Sequence, residues 1–406
     1  MITWKIGGRP VAAPRDYWRK PDQTVTRFPF GSPCSRYFFS ARYALAAGIR
    51  SLGVKEGDSV LLPAYTCGVE IDPFLHLGIQ PRFYRIGADL RTDVEDLAKR
   101  LTGEVKAVLV THFLGFPQPI EEIRGLCDEK KVFLLEDCAH ALLSSHKGRD
   151  VGTFGDIAIF SLLKTLPVPN GGILVINNES VSCKCGQRMP SRFGALFYLS
   201  DLWRQKTNSE GYAAVLFEKL ASAVMWRGMS AVKLGIAAFR TVTGKMGSAL
   251  VRPDSFTFSS EVMNWGISPA SITLINNTDL HLVKETRRQN FSHLLERLMS
   301  SECRKAFDFP VHSLPDGVCP LFFPLFVEGK GAREHFYRSL KKSGIVSHPW
   351  WDIFHPVVPW DEFPEAVYLK KTLFGIPIHQ DISFKHLDRV VTELEKVARE
   401  RRNKHV

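Results

Sequence analysis

Two residues 27 positions apart are placed to do chemistry together: Asp137, at the end of one apolar run, and Lys164, just beyond another. Residues 132–172 read VFLLEDCAHALLSSHKGRDVGTFGDIAIFSLLKTLPVPNGG. Val132 to Leu135 leads into Glu136-Asp137, and Ile157 to Phe160 leads into Ser161, Lys164 and the pair Gly171-Gly172. A lysine can form a Schiff base with an aldehyde, and an aspartate can hold the proton of a pyridinium nitrogen. An acid at one strand end and a lysine beyond another therefore point to pyridoxal 5'-phosphate as cofactor.

Each residue has a role in that chemistry. Lys164 would hold the cofactor aldehyde and then, once displaced by a substrate amine, move a proton at the reacting carbon. An ionised Asp137 against the ring nitrogen keeps that nitrogen protonated, so the ring can accept electrons. Glu136 is adjacent but should point to the opposite face of its strand. Ser40-Ala41-Arg42 opens a helix, whose free N–H groups and dipole suit a phosphate. Read alone, a serine before a helix is usually only an N-cap. Ser161 can add a hydroxyl to the same phosphate. His140, three residues past Asp137, is placed to hydrogen-bond the cofactor's phenolic oxygen or phosphate, although a single histidine is more often structural.

These residues need a scaffold of strand ends. SARYALAAGIRSL (Ser40 to Leu52) has apolar residues at three- and four-residue spacing and predicts a helix, ended by Gly53. Ser59 to Leu62 reads as a short strand closed by Pro63. Helix and strand then alternate: helices near Val69–Leu77, Val94–Leu101 and Ile120–Glu129, strands near Arg82–Arg85, Ala107–Val110 and Val132–Leu135. The rhythm predicts an α/β fold with a mostly parallel sheet covered on both faces. Ligands in such sheets sit beyond the carboxyl ends of the strands, where Asp137 and Ser161 lie. Ile173 to Ile176 continues as a buried strand. Residues 180–255 change character and predict a basic helical insertion. One long helix is expected from Pro269 to about Leu298. β structure resumes over Pro310–Val327, a helix follows at Ala332–Ser343, then the Pro/Trp-rich loop HPWWDIFHP, and a charged helix at His386–Arg401 ends the chain. The expected division is an irregular segment at 1–30, a large cofactor-binding domain at 31–300 that includes the insertion, and a small α+β domain at 301–406.

The 406 residues suffice for two domains. No N-terminal signal-peptide pattern and no membrane span is expected. The eight cysteines are scattered, which suits reduced thiols in the cytoplasm better than a disulfide framework. Cys183-Lys184-Cys185 has no matching second pair, so no metal site is expected there. The formal charge is +11, and residues 183–252 hold 11 Lys/Arg against 3 Asp/Glu. Such a segment is a solvated basic face or attracts phosphates, in a nucleotide-linked substrate or at an anionic membrane surface. Without a helix-turn-helix, finger or basic-zipper pattern, nucleic-acid binding is not expected.

The chain resembles the DegT/StrS-type sugar aminotransferases, pyridoxal-phosphate enzymes of fold type I, from about Phe39 to Ser383. The resemblance runs through FFSARYAL, GVKEGDSVLLPAYT, GIQPRFYRI, VTHFLGFP, LLEDCAHA, KGRDVGTFGDIAIFS, Lys164 with NGG, MNWGISPAS and GIPIHQDIS. It implies that Lys164 carries the cofactor, that Asp137 contacts the ring nitrogen and that His140 lies near it. It implies phosphate contacts from Ala41, Arg42 and Ser161. Asn264, in the MNWG stretch, matches an asparagine that reaches the cofactor of the neighbouring subunit, so a homodimer with shared sites is implied. Relatives that dehydrate sugars carry histidine at the lysine position; Lys164 makes this chain resemble the aminotransferases. Three departures stand out. Ala41 and Arg42 replace the last two residues of a Ser-Gly-Thr. Cys67 occupies the place of a ring-stacking aromatic, with Tyr65 nearby. The 180–255 insertion is long.

The resulting expectation is transamination from glutamate to a keto-sugar, nucleotide-linked, in glycan or secondary-metabolite biosynthesis. Two alternatives stay open: the same chemistry on a lipid-linked or non-sugar ketone, with the basic insertion peripheral to a membrane, and a non-catalytic regulator that retains the fold. Arg85, His112, His348, Trp350, Trp351 and His379 lie in loops that could line the cleft.

Overall fold

Strands buried on both faces carry continuous apolar runs rather than alternating ones, and five of the runs in this chain build the centre of one sheet. The computed structural model describes residues 6–13, 16, 27–182 and 258–404. The first elements are β1 (Ser35–Phe38), α1 (Ala41–Ser51), β2 (Ser59–Pro63), α2 (Asp72–His76), β3 (Gln80–Tyr84), α3 (Val94–Arg100), β4 (Val105–Thr111), α4 (Ile120–Lys130) and β5 (Phe133–Asp137). Then follow the hairpin β6 (Ser145–His146) and β7 (Arg149–Asp150), then β8 (Ile157–Ser161), α5 (Leu162–Thr165) and β9 (Gly172–Ile176). The sheet has seven strands in the order β1-β9-β8-β5-β4-β2-β3. β3, β2, β4, β5 and β8 pair in parallel, whereas β9 runs against β8 and β1 against β9. The fold is α/β and the sheet mostly parallel.

α1 covers the β8–β9 side, and its glycine explains how closely. A Cβ on Gly48 would lie 2.5 Å from Ile157 Cδ1 and 2.9 Å from Leu174 Cδ1. α2 is shorter than the expected 69–77 helix, because Pro73 sits in its first turn and fixes where the helix begins.

The second half contributes α6 (Pro269–Asn276), α7 (Leu280–Met299), β10 (Phe322–Phe326), α8 (Ala332–Lys342), β11 (His348–Pro349), α9 (Pro364–Thr372), β12 (Leu373–Pro377) and α10 (Phe384–Lys404). β10, β12 and β11 form a three-stranded antiparallel sheet in that order. Phe323, Leu325 and Ile376 of this sheet share a core with Phe336 of α8 and Leu387, Val390 and Leu394 of α10. α7 joins the two halves. Its Leu280 and Val283 pack with Leu142, Leu162 and Ile173, whereas Phe291, Leu294 and Leu298 pack into the small core.

The single helix expected over 269–298 is two helices. The Asp279 side chain accepts the Leu282 N–H and starts α7, just as Ser268 accepts the Ser271 N–H to start α6. An aspartate competing for backbone donors makes a cap where apolar spacing alone reads straight through. The basic insertion expected at 180–255 lies outside the described residues from 183 onward. Among the described residues, no helix is long and apolar enough to cross a membrane.

Candidate active site

The carboxyl ends of β4, β5 and β8 supply the floor of the site. Asp137 is the last residue of β5, and Thr111, the last of β4, stands opposite it in the parallel register. Asp137 Oδ1 accepts the Ala139 N–H at 2.9 Å, which fixes the carboxyl group. Burial pushes the Asp137 pKa up to about 6, against the opposing charge of Lys164; Glu70 adds to the rise. Glu136 takes the other face, as the period of two requires. It is fully buried and accepts N–H groups from Gly152 at 2.8 Å, Phe154 at 2.7 Å and Gly155 at 2.5 Å. Its Oε2 also lies 3.1 Å from His112 Nε2.

Lys164 lies in the single turn α5 rather than in a loop, and is half-buried. Its Nζ is 2.9 Å from His140 Nε2, so two residues 24 positions apart in sequence meet. Burial and then the Lys164 charge push the His140 pKa well below its ordinary value, so the imidazole stays neutral. Its Nδ1 accepts the Leu114 N–H at 3.4 Å, so the Nε2 proton faces the Lys164 amine and can orient its lone pair.

The α1 end forms a separate pocket wall. Ser40 stands at the N-cap in an extended conformation but makes no capping bond, and its buried Oγ has no partner. Ser161, at the N-cap of α5, likewise makes no capping bond, and it pairs with Gly172 across β8–β9. Gly172 brings the two together: a Cβ there would meet Ser40 C at 2.3 Å and Ala41 N at 2.4 Å. Arg42 directs its charge toward Asp72 and Tyr43.

Aromatic rings close the other side. Trp350 and Trp351 lie 5.2 Å and 5.5 Å from the His140 ring, centroid to centroid. Trp351 also packs at 5.0 Å on Tyr65, which in turn lies 5.5 Å from Phe113. The Tyr65 hydroxyl donates to the Trp350 carbonyl at 2.6 Å. Cys67 Sγ donates to Glu70 Oε2 at 2.6 Å, and burial with the Glu70 charge holds the thiol well above its usual pKa.

Of the other loop candidates, four are engaged elsewhere. Arg85 pairs with Glu365 at 2.7 Å, His112 faces Glu136, His348 lies 3.4 Å from the Gly8 carbonyl and His379 2.9 Å from the Gly7 carbonyl. His112, Glu136 and Cys138 cluster as metal ligands do. His112 Nδ1 accepts the Gln118 N–H, however, so Nε2 carries the proton and has no lone pair for an ion. Asn264 lies exposed in a turn. Two residues escaped sequence reasoning. Glu70 is a buried acid whose charge bears on Asp137, and Thr111 has a buried hydroxyl without a partner. VLLPAYTCGVE carried a faint signal for Glu70, an acid shortly after a strand end; Thr111 gave none.

The sequence around this site resembles known proteins. Residues 38–227 match the model of the DegT/DnrJ/EryC1/StrS aminotransferase family. The GDP-perosamine synthase of Vibrio cholerae is 36% identical over 145 residues, 35% of this chain and 40% of that one. Its namesake from Escherichia coli O157:H7 is 35% identical over 147 residues. The chain thus aligns with about two fifths of these relatives' length. Solved structures extend the likeness in fold across nearly the whole chain. The aminotransferase TlmJ of Streptoalloteichus hindustanus superposes with TM-score 0.62 at 20% identity, covering 97% of this chain and 92% of that one. Spr1654 of Streptococcus pneumoniae, in its PLP form, gives TM-score 0.65 at 17% identity and covers 98% and 99%. The matched residues 38–227 include Ser40, Asp137, His140, Ser161 and Lys164.

Proposed function

We propose that this protein is a pyridoxal-phosphate-dependent aminotransferase that moves an amino group from glutamate to a nucleotide-linked keto-sugar. The observation that carries the reading is the 2.9 Å approach of Lys164 Nζ to His140 Nε2 beside the buried Asp137. The residues present fit the cofactor. The partnerless Ser40 hydroxyl at the open end of α1 is a seat for its phosphate, with Ser161 beside it. Asp137 lies within the electrostatic reach of Lys164, as an acid facing the far end of the same ring would.

Pyridoxal phosphate, when bound, supplies an aldehyde that carries the amino group and a ring that takes up electrons. Lys164 Nζ holds the aldehyde and then moves the proton at the substrate carbon that bears nitrogen. His140, kept neutral, orients that Nζ through its Nε2. Asp137 holds the proton at the ring nitrogen. Trp350, Trp351, Tyr65 and Phe113 exclude water from one side of the site. A homodimer, in which Asn264 serves the partner's site, completes the reading.

The acceptor class rests on the likeness to the GDP-perosamine synthases. Protein charged with pyridoxamine phosphate and offered GDP- and other nucleotide-linked keto-sugars should return an amino-sugar nucleotide, detected by mass spectrometry. Amination of simple keto acids alone, with every keto-sugar nucleotide unchanged, would overturn the sugar reading while leaving the transaminase one.

A further inference from the structure

α9 carries a lysine that this chemistry leaves unused. Lys370 is 1% exposed, and its Nζ donates to the Thr66 carbonyl at 2.8 Å and to the Ile353 carbonyl at 2.5 Å. Those carbonyls belong to different loops. Thr66 lies between Tyr65 and Cys67, just after β2. Ile353 lies two residues beyond Trp351, after β11. Both loops reach the Lys164 site: Cys67 feels the Lys164 charge, and Trp351 packs against His140.

The amine has no carboxylate in ion-pair range among the described residues. It sits instead 4.9 Å from the centre of the Trp360 ring and 5.3 Å from that of Phe354. Cation–π attraction and two charge-assisted hydrogen bonds offset part of the cost of burying it. Arg333 donates to the Lys370 carbonyl and anchors the helix that presents it. An apolar side chain would fill the space without a desolvation cost, but it cannot join two carbonyls.

We propose that Lys370 is a positioning residue: by joining the Thr66 and Ile353 carbonyls it holds Tyr65 and Trp351 as one aromatic wall against the Lys164 site. The proposal rests on the reading of that site as a pyridoxal phosphate site. Burial lowers the Lys370 pKa to about 8, with the Glu70 charge opposing, so the amine remains mostly charged at neutral pH.

The test compares wild type, Lys370→Met, Lys370→Arg and, as a surface control, Lys371→Met. Each is titrated with pyridoxal phosphate and followed by visible circular dichroism, which reports how the bound ring is held, and by the rate of its conversion with glutamate. Lys370→Met should weaken cofactor binding or slow conversion by about tenfold or more, the loss of a buried charged donor, and should change the dichroism. Lys370→Arg should recover the wild-type dichroism, and Lys371→Met should match wild type throughout. If Lys370→Met does not fold, Lys370→Gln, which keeps one donor, takes its place with the same readouts. An unchanged dichroism and rate in Lys370→Met, whatever its melting temperature, overturns this proposal alone. A wild type that takes no cofactor overturns the site reading and this proposal with it.

Discussion

Asp137 is where pH acts most directly on this site. Its folded pKa of about 6 lies above the ordinary 3.8 because the carboxyl is buried. The ionised form therefore costs the cofactor-free fold on the order of 3 kcal/mol, in full above pH 6 and not at all below the unfolded pKa. A pyridinium nitrogen opposite the carboxylate would offset that cost, so binding should strengthen as Asp137 ionises. We predict that pyridoxal phosphate affinity falls as pH drops through about 6, approaching tenfold per pH unit below it. Asp137→Asn should bind more weakly and lose that dependence; equilibrium titrations from pH 5 to 8 decide. A wild-type affinity flat across this range would contradict the assignment of Asp137. Asp137 and Lys164 were legible because each follows an apolar strand. Glu70 and Lys370 were not, because their place at the site is made by loops that meet only in the folded chain. The aromatic wall was half legible. Tyr65, Trp350 and Trp351 stood out as candidates, but nothing in their spacing says that residues 285 apart share a hydrogen bond.

At the scale of elements, the approach of β9 to the start of α1 decides whether that helix end can hold a phosphate as proposed. A Cβ at Gly172 would strike the backbone of Ser40 and Ala41, which has no side chain to swing away. Gly172→Ala should therefore destabilise by about 1–3 kcal/mol, and it should weaken cofactor binding as the helix end is displaced. Gly48→Ala meets only the tips of Ile157 and Leu174, which can turn aside. It should cost less and leave cofactor affinity intact. Thermal melts with and without pyridoxal phosphate separate the two. Equal losses from both would show that the β9–α1 contact has no special bearing on the site. Six of the sheet's seven strands and the helices between them were readable from hydrophobic periodicity, because strands buried on both faces leave unbroken apolar runs; the edge strand β1, Ser35–Phe38, was read as irregular chain. The break between α6 and α7 was not, because Asp279 acts through a cap, a local competition for N–H groups that periodicity does not register.

For the whole molecule, the central expectation is a pair of chains that complete each other's sites. Asn264 sits exposed in a turn, where a second copy can receive it. Mixing Lys164→Ala with Asn264→Ala chains would then build hybrid dimers with one intact site each. Random exchange should restore about a quarter of wild-type activity, and no recovery on mixing would speak against shared sites. A simpler measurement decides whether Lys164 carries the cofactor: the absorption spectrum of wild type and Lys164→Ala with pyridoxal phosphate, before and after glutamate. Wild type should bind the cofactor through Lys164, show a yellow band, and lose it when glutamate converts the cofactor to its amine form; Lys164→Ala should do neither. A wild-type spectrum that is the sum of protein and free cofactor, unmoved by glutamate, would contradict the account.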